Sequence, residues 1–178
     1  VPNLAEALNC RGGAQMGLRQ YGAALESFAR ASALMPDDFG ARYNGALALF
    51  RLARYAESLT SFDAILARWP ASAEAHNNRG LCLQALNRHG DALASFERTL
   101  ALRPNDIDAH YNRGCALRRL GRNGDALAAF DRALAVAPRF AKAHNNRGST
   151  LVDMHRYDEA RASFDTALAI EPHFAEAL

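Results

Sequence analysis

Five prolines, Pro36, Pro70, Pro104, Pro138 and Pro172, stand 34 residues apart, and five phenylalanines, Phe28, Phe62, Phe96, Phe130 and Phe164, keep the same interval. A period of this length, held without an insertion, marks an array in which each unit buries its apolar face against the next. Taking Ala5, Phe39, Ala73, Ile107 and Ala141 as first residues, the units are 5–38, 39–72, 73–106, 107–140 and 141–174, within a single array over 1–178. Residues 175–178 open a further, truncated unit, so the natural chain is expected to continue.

Each unit predicts two helices. In the first, over roughly the first fourteen positions, the fourth, seventh, eighth, eleventh and fourteenth residues share one face at about 100° per residue, and that face is expected to pack inward. The eighth residue is Gly12, Ala46, Gly80, Gly114 or Gly148, and the twentieth is Ala24, Ser58, Ala92, Ala126 or Ala160. Glycine inside a helix costs about 1 kcal/mol against alanine, so the spacing predicts a close approach of the second helix at its small twentieth residue. The second helix carries an i, i+3, i+7 stripe, Leu93, Phe96 and Leu100 in the third unit and Leu127, Phe130 and Leu134 in the fourth. Proline then ends it. Asp38, Ser72 and Asp106 suit N-capping, and Glu6, Glu74 and Asp108 suit the positive end of a helix dipole, a habit that Lys142 breaks.

The 34-residue spacing and the Gly…Ala…Phe…Pro order resemble the tetratricopeptide repeat over essentially the whole chain. The resemblance implies an all-α fold, a right-handed α-solenoid superhelix of five tandem helix-turn-helix repeats, with the first helices lining a concave surface. It also implies partners that are proteins or extended peptides.

The segment "AHNNRG" at 75–80 recurs at 143–148, with "AHYNRG" at 109–114 between them. Its second asparagine is the sixth position, giving Asn44, Asn78, Asn112 and Asn146, with Cys10 in the first unit. On the wheel this position lies opposite the packing face, so the four form a ladder on one surface. An amide offers a donor and an acceptor, which matches the backbone of an extended peptide whatever its side chains. The ladder resembles that of O-GlcNAc transferase-like glycosyltransferases, where asparagines at this place hold peptide backbone. Two readings stay open: peptide binding, or asparagines that bond to one another or to water and stiffen the array. The fifth positions, Asn9, Tyr43, Asn77, Tyr111 and Asn145, add Asn77, Asn145, Tyr43 and Tyr111 to the candidate peptide-binding set, with Leu47, Phe50 and Leu81 as apolar neighbours. None of the fifth positions is a lysine, which argues against the two-carboxylate clamp of chaperone adaptors.

Other residues have plainer readings. His76, His110 and His144 also step by 34, but equivalent residues of adjacent units lie too far apart for zinc at about 2.0–2.1 Å, so they are read as packing residues, with no metal site. Arg79, Arg113 and Arg147 hold the seventh position, and a buried unpaired charge is costly. Each is expected to reach an acid at the twenty-fifth position, among Asp63, Glu97, Asp131 and Asp165. Arg118, Arg119 and Arg122 read as a solvated helix end, with Arg118 and Arg119 able to make the groove positive. Cys10, Cys82 and Cys115 form no CxxC pair and suggest a reduced compartment.

The chain has 49% hydrophobic and 22% charged residues and a net charge of +2, without a basic run, which argues for a cored protein and against nucleic-acid binding. It has no apolar run near the eighteen or so residues that would cross a membrane and no signal peptide; a cytoplasmic location is expected. No nucleophile–base pair, carboxylate pair or phosphate loop stands out, so the fragment is expected to have no catalysis of its own and no cofactor. The expected function is a protein-interaction module that holds an extended peptide or partner protein through the asparagine ladder. The alternatives are a substrate-recruiting arm of a larger glycosyltransferase and an oligomerisation scaffold. End-to-end self-association through uncapped terminal repeats, around Phe164 and Leu168, is also expected.

Overall fold

A computed structural model describes residues 2–172, and the start of the sixth unit expected at 175–178 lies outside them. The described residues form ten helices and no strand. The first helix of each unit is α1 (Pro2–Gly17), α3 (Phe39–Arg51), α5 (Ala73–Ala85), α7 (Ile107–Arg119) and α9 (Ala141–Asp153). The second helices are α2 (Tyr21–Leu34), α4 (Tyr55–Arg68), α6 (His89–Leu102), α8 (Asn123–Val136) and α10 (Tyr157–Ile170). The chain is an all-α solenoid of tandem helix pairs, and it divides into two compact units, Val1–Asn87 and Arg88–Leu178.

In the first unit α1 to α5 pack in chain order, and α1 also meets α3 as α3 meets α5. In the second, α6 to α10 pack in order, and α7 meets α9. The second helices bury a stripe of small residues around one ring: Ala24, Ser27, Phe28 and Ala31 in α2, and Ala126, Ala129, Phe130 and Ala133 in α8. Phe28, Phe62, Phe96 and Phe130 are all almost fully buried, while Phe164 is half-buried and Leu168 is 43% exposed.

The eighth-position glycines face those rings. A methyl built on Gly12 would lie 2.5 Å from the Phe28 ring, on Gly114 2.6 Å from Phe130 and on Gly148 2.7 Å from Phe164. What the glycine admits is the ring one helical turn beyond the twentieth residue, and the second helix is close at the twentieth residue too, where Ser58 donates to the Ala46 carbonyl at 2.8 Å. The inward face of the first helix is also broader than one stripe. Positions eight and eleven are buried as expected, the latter as Leu49, Leu83, Leu117 and Leu151. The third residues Ala41, Ala75, Ala109 and Ala143 and the tenth residues Ala48, Cys82, Ala116 and Thr150 are buried too. A helix with packed neighbours on more than one side buries a wider arc than a helix lying on a single partner.

Asp38 caps α3 through the Gly40 N–H at 2.8 Å, Ser72 caps α5 through Ala75 at 3.2 Å, and Asp106 caps α7 through Ala109 at 2.8 Å. Glu74 and Asp108 lie in first turns as expected, but α1 begins at Pro2, so Glu6 falls beyond its first turn. The turn inside each unit is closed by a residue with positive φ: Arg19 (58°), Ala53 (58°), Asn87 (59°), Gly121 (73°) and His155 (59°). The next N–H reaches back to close the helix, as from Arg54 to the Leu49 carbonyl at 3.0 Å and from Arg122 to the Leu117 carbonyl at 3.0 Å, the Schellman pattern.

Candidate functional site: the asparagine rungs

The sixth-position asparagines sit on first helices, half-buried, one turn before the residues that pack inward. Three of them send a bond to the unit before. Asn44 Nδ2 donates to Asn9 Oδ1 at 3.4 Å, Asn78 Nδ2 to the Tyr43 hydroxyl at 2.7 Å, and Asn146 Nδ2 to the Tyr111 hydroxyl at 2.7 Å. The two tyrosines of the candidate set are thus polar partners of the ladder. Asn78 spends its second Nδ2 hydrogen on the Glu74 carbonyl at 3.0 Å, and Asn146 directs Nδ2 to Cys115 Sγ at 3.5 Å as well. What the side chains of Asn78 and Asn146 have left to offer a ligand is their Oδ1. Asn112 is half-buried in α7, Asn77 and Asn145 are half-buried in α5 and α9, and Cys10 is exposed in α1.

The tyrosines are held by rings of their own units. Tyr43 stacks on Phe39 with centroids 5.4 Å apart and meets Phe62 edge-on at 5.8 Å; Phe39 in turn meets Trp69 at 5.3 Å. Tyr111 lies 5.9 Å from Phe130 and 5.0 Å from Phe140. Burial pushes the Tyr111 hydroxyl and the Cys115 thiol above their ordinary ranges, so both keep their protons near neutrality. Leu47, Phe50 and Leu81 are half-buried, and Phe50 packs on Tyr55 with centroids 5.2 Å apart.

The histidines do more than fill space. His76, His110 and His144 turn Nε2 to the carbonyl oxygens of Pro70, Pro104 and Pro138 at 3.0, 2.8 and 2.9 Å. A carbonyl only accepts, so each Nε2 carries the hydrogen. Arg42, at the same position in the second unit, donates to the Pro36 carbonyl at 2.6 Å. The fourth position therefore ties a first helix to the preceding proline turn, which a wheel of one helix does not show. The arginine expectation holds at three places: Arg79 meets Asp63 at 2.6 Å, Arg113 meets Glu97 at 3.4 Å and Arg147 meets Asp131 at 2.7 Å. The basic cluster lies at the solvated end of α7, and two of its members are paired. Arg118 pairs with Asp153 at 2.7 Å and Arg122 with Asp125 at 2.6 Å, so neither is a free charge. Arg122 belongs to a series that sequence reading missed, in which the residue before each second helix from α4 onward pairs three residues on, as Arg54–Glu57, Arg88–Asp91 and Arg156–Glu159 do.

No helix among the described residues is long and apolar enough to cross a membrane. No curated protein matches the sequence. Among solved structures, MamA 41-end from Desulfovibrio magneticus RS-1 is similar at 22% identity and a TM-score of 0.88, covering 96% of this chain and 97% of that one. A MamA crystal structure is similar at 18% identity and a TM-score of 0.84, covering 99% and 96%. YrrB, described as a TPR protein with an unusual peptide-binding site, is similar at 23% identity and a TM-score of 0.76, covering 94% and 89%. These likenesses bear on the fold. The glycosyltransferase-like resemblance rests on the ladder residues alone. The sequence pattern named tetratricopeptide repeat matches residues 11–64, 43–107 and 111–173. With its tandem helix pairs, its ring-on-glycine packing and a family pattern over most of its length, the chain belongs to the tetratricopeptide repeat family and is a protein-interaction module.

Proposed function

We propose that the five units 5–38 to 141–174 act as one array that binds an extended segment of a partner protein along the first helices, through Asn44, Asn78, Asn112 and Asn146. The observation that carries this reading is the direction of the amides. With Nδ2 of Asn78 and Asn146 engaged inside the protein, Oδ1 is left to accept N–H groups, which every non-proline peptide residue supplies. Binding of this kind tolerates many sequences. The likeness to YrrB supports a peptide ligand.

One hydrogen bond adds a net of about 0.5–1.5 kcal/mol, so four add about 2–6 kcal/mol before the cost of ordering the peptide. Affinity from the ladder alone is then no tighter than about tens of micromolar and reaches down to about tens of millimolar. Tighter binding draws on side-chain contacts from Asn77, Asn145, Leu47 and Leu81.

The 2.7 Å bonds to Tyr43 and Tyr111 favour a second role, the stiffening of the array. Two sets of variants separate the roles. Alanine at the four asparagines should lower capture of unrelated peptides on an array while helicity is kept. Tyr43→Phe with Tyr111→Phe should lower the melting temperature and leave capture in place. If the asparagine variant captures peptides as well as the parent, the ladder is structural and the binding surface lies elsewhere.

A further inference from the structure

At three places the seventh residue of one unit sends a guanidinium to the twenty-fifth residue of the unit before it, and the arginine side chains are only 25–29% exposed. Their stems are therefore largely buried, as expected for a long side chain that keeps its head at a polar edge. At the equivalent place between the first two units both partners are missing: the seventh residue is Gly45 and the twenty-fifth is Ala29. A cleft of about 320 Å³ lies there among α2, α3 and α4, with Gly45 and Ala29 in its lining beside Leu25, Phe28, Leu49 and Ile65. A methyl on Gly45 would stand 3.6 Å from Phe28 Cβ, an ordinary contact, so a side chain can grow from that point.

Besides the Ser32 hydroxyl, the cleft is lined by three polar side chains, and these three are already engaged. Thr60 donates to the Ala56 carbonyl at 3.0 Å, Ser61 to the Glu57 carbonyl at 2.9 Å and Arg42 to the Pro36 carbonyl at 2.6 Å. With Ala29 in place of an acid, a cationic head entering here would meet no carboxylate and would lose hydration without return. The walls therefore complement a neutral group.

We propose that this cleft is a binding site for a neutral aliphatic side chain, a leucine or methionine, presented by a partner protein. The occupant takes the slot that the chain's own arginine stem takes at the other three places. The cleft has no convergent polar handle of the kind that fixes a free small molecule, whereas a side chain on a partner is already oriented. This site is separate from the asparagine ladder and does not depend on it.

The test uses N-acetyl-methioninamide as probe and N-acetyl-argininamide as control, followed by amide and methyl NMR. The methionine amide should give saturable shifts at the Gly45 amide and the methyls of Ala29, Ala64 and Ile65, and the arginine amide should not. The pair Gly45→Arg with Ala29→Asp rebuilds the ion pair seen elsewhere, and should raise the melting temperature and abolish the shifts. Gly45→Met supplies an occupant from within and should also abolish them, which covers a failure of the double variant to fold. Alanine at the four ladder asparagines should leave the shifts unchanged. No saturable shift in the parent protein, equal shifts with the arginine amide, or shifts that persist with Met at residue 45 would overturn the proposal.

Discussion

A methyl on Gly114 would lie 2.6 Å from the Phe130 ring, nearer than carbon atoms pack, so the ring or the helix has to move. Gly114→Ala should therefore cost about 1–3 kcal/mol, the usual range for overpacking. Gly45→Ala, with ordinary contacts, should be neutral or gain up to about 1 kcal/mol from helix propensity. Urea denaturation of the two variants checks both values. The buried thiols add a pH dependence. Cys82 donates to Ser58 Oγ at 3.2 Å, and burial raises its pKa and that of Cys115 above the ordinary 9.0. The unfolded chain loses those protons first. Their stabilisation is thus complete below that ordinary value and is lost as pH rises past it. Tyr111, also raised by burial, acts in the same direction at higher pH. The urea midpoint should decline on the alkaline side, and Cys82→Ala with Cys115→Ala should flatten that decline. A slope unchanged by the pair would assign it to other groups.

At the scale of the helix, the period and the caps were legible and the turns were not. Asp38, Ser72 and Asp106 announce the starts of α3, α5 and α7 because a short polar side chain before an apolar segment has few other uses. The left-handed residue that closes each first helix is glycine only at Gly121. Elsewhere it is Arg19, Ala53, Asn87 or His155, and nothing in such a side chain but that of Asn87 advertises the conformation. A β-carbon in the left-handed region costs roughly 1–2 kcal/mol. Gly121→Ala should lose about that much, and Ala53→Gly should gain about 0.5–1 kcal/mol after the entropy of the added glycine is counted. Thermal melts of the two variants should move in opposite directions. The asparagine ladder was visible as a pattern, but its partners were not, since Asn78 and Tyr43 belong to different units. A helical wheel shows the neighbours of a residue on its own helix only.

For the whole molecule, we propose that the α10 end carries self-association. Leu168 is 43% exposed there and Ile170 is half-buried. Sedimentation at rising protein concentration should show a growing apparent mass that Leu168→Glu reduces; a constant monomer mass would end the idea. The fifth position carries another consequence. It reads Asn9, Tyr43, Asn77, Tyr111, Asn145, so the backbone repeats every unit while the rung alternates between amide and phenol. Removing one unit by recombination would preserve every helix junction and yet bring two like rungs together. Removing two would preserve the alternation as well. Internal units can therefore be lost or gained without disturbing the alternation only in steps of two, and internal gene rearrangements that keep it should come in even numbers.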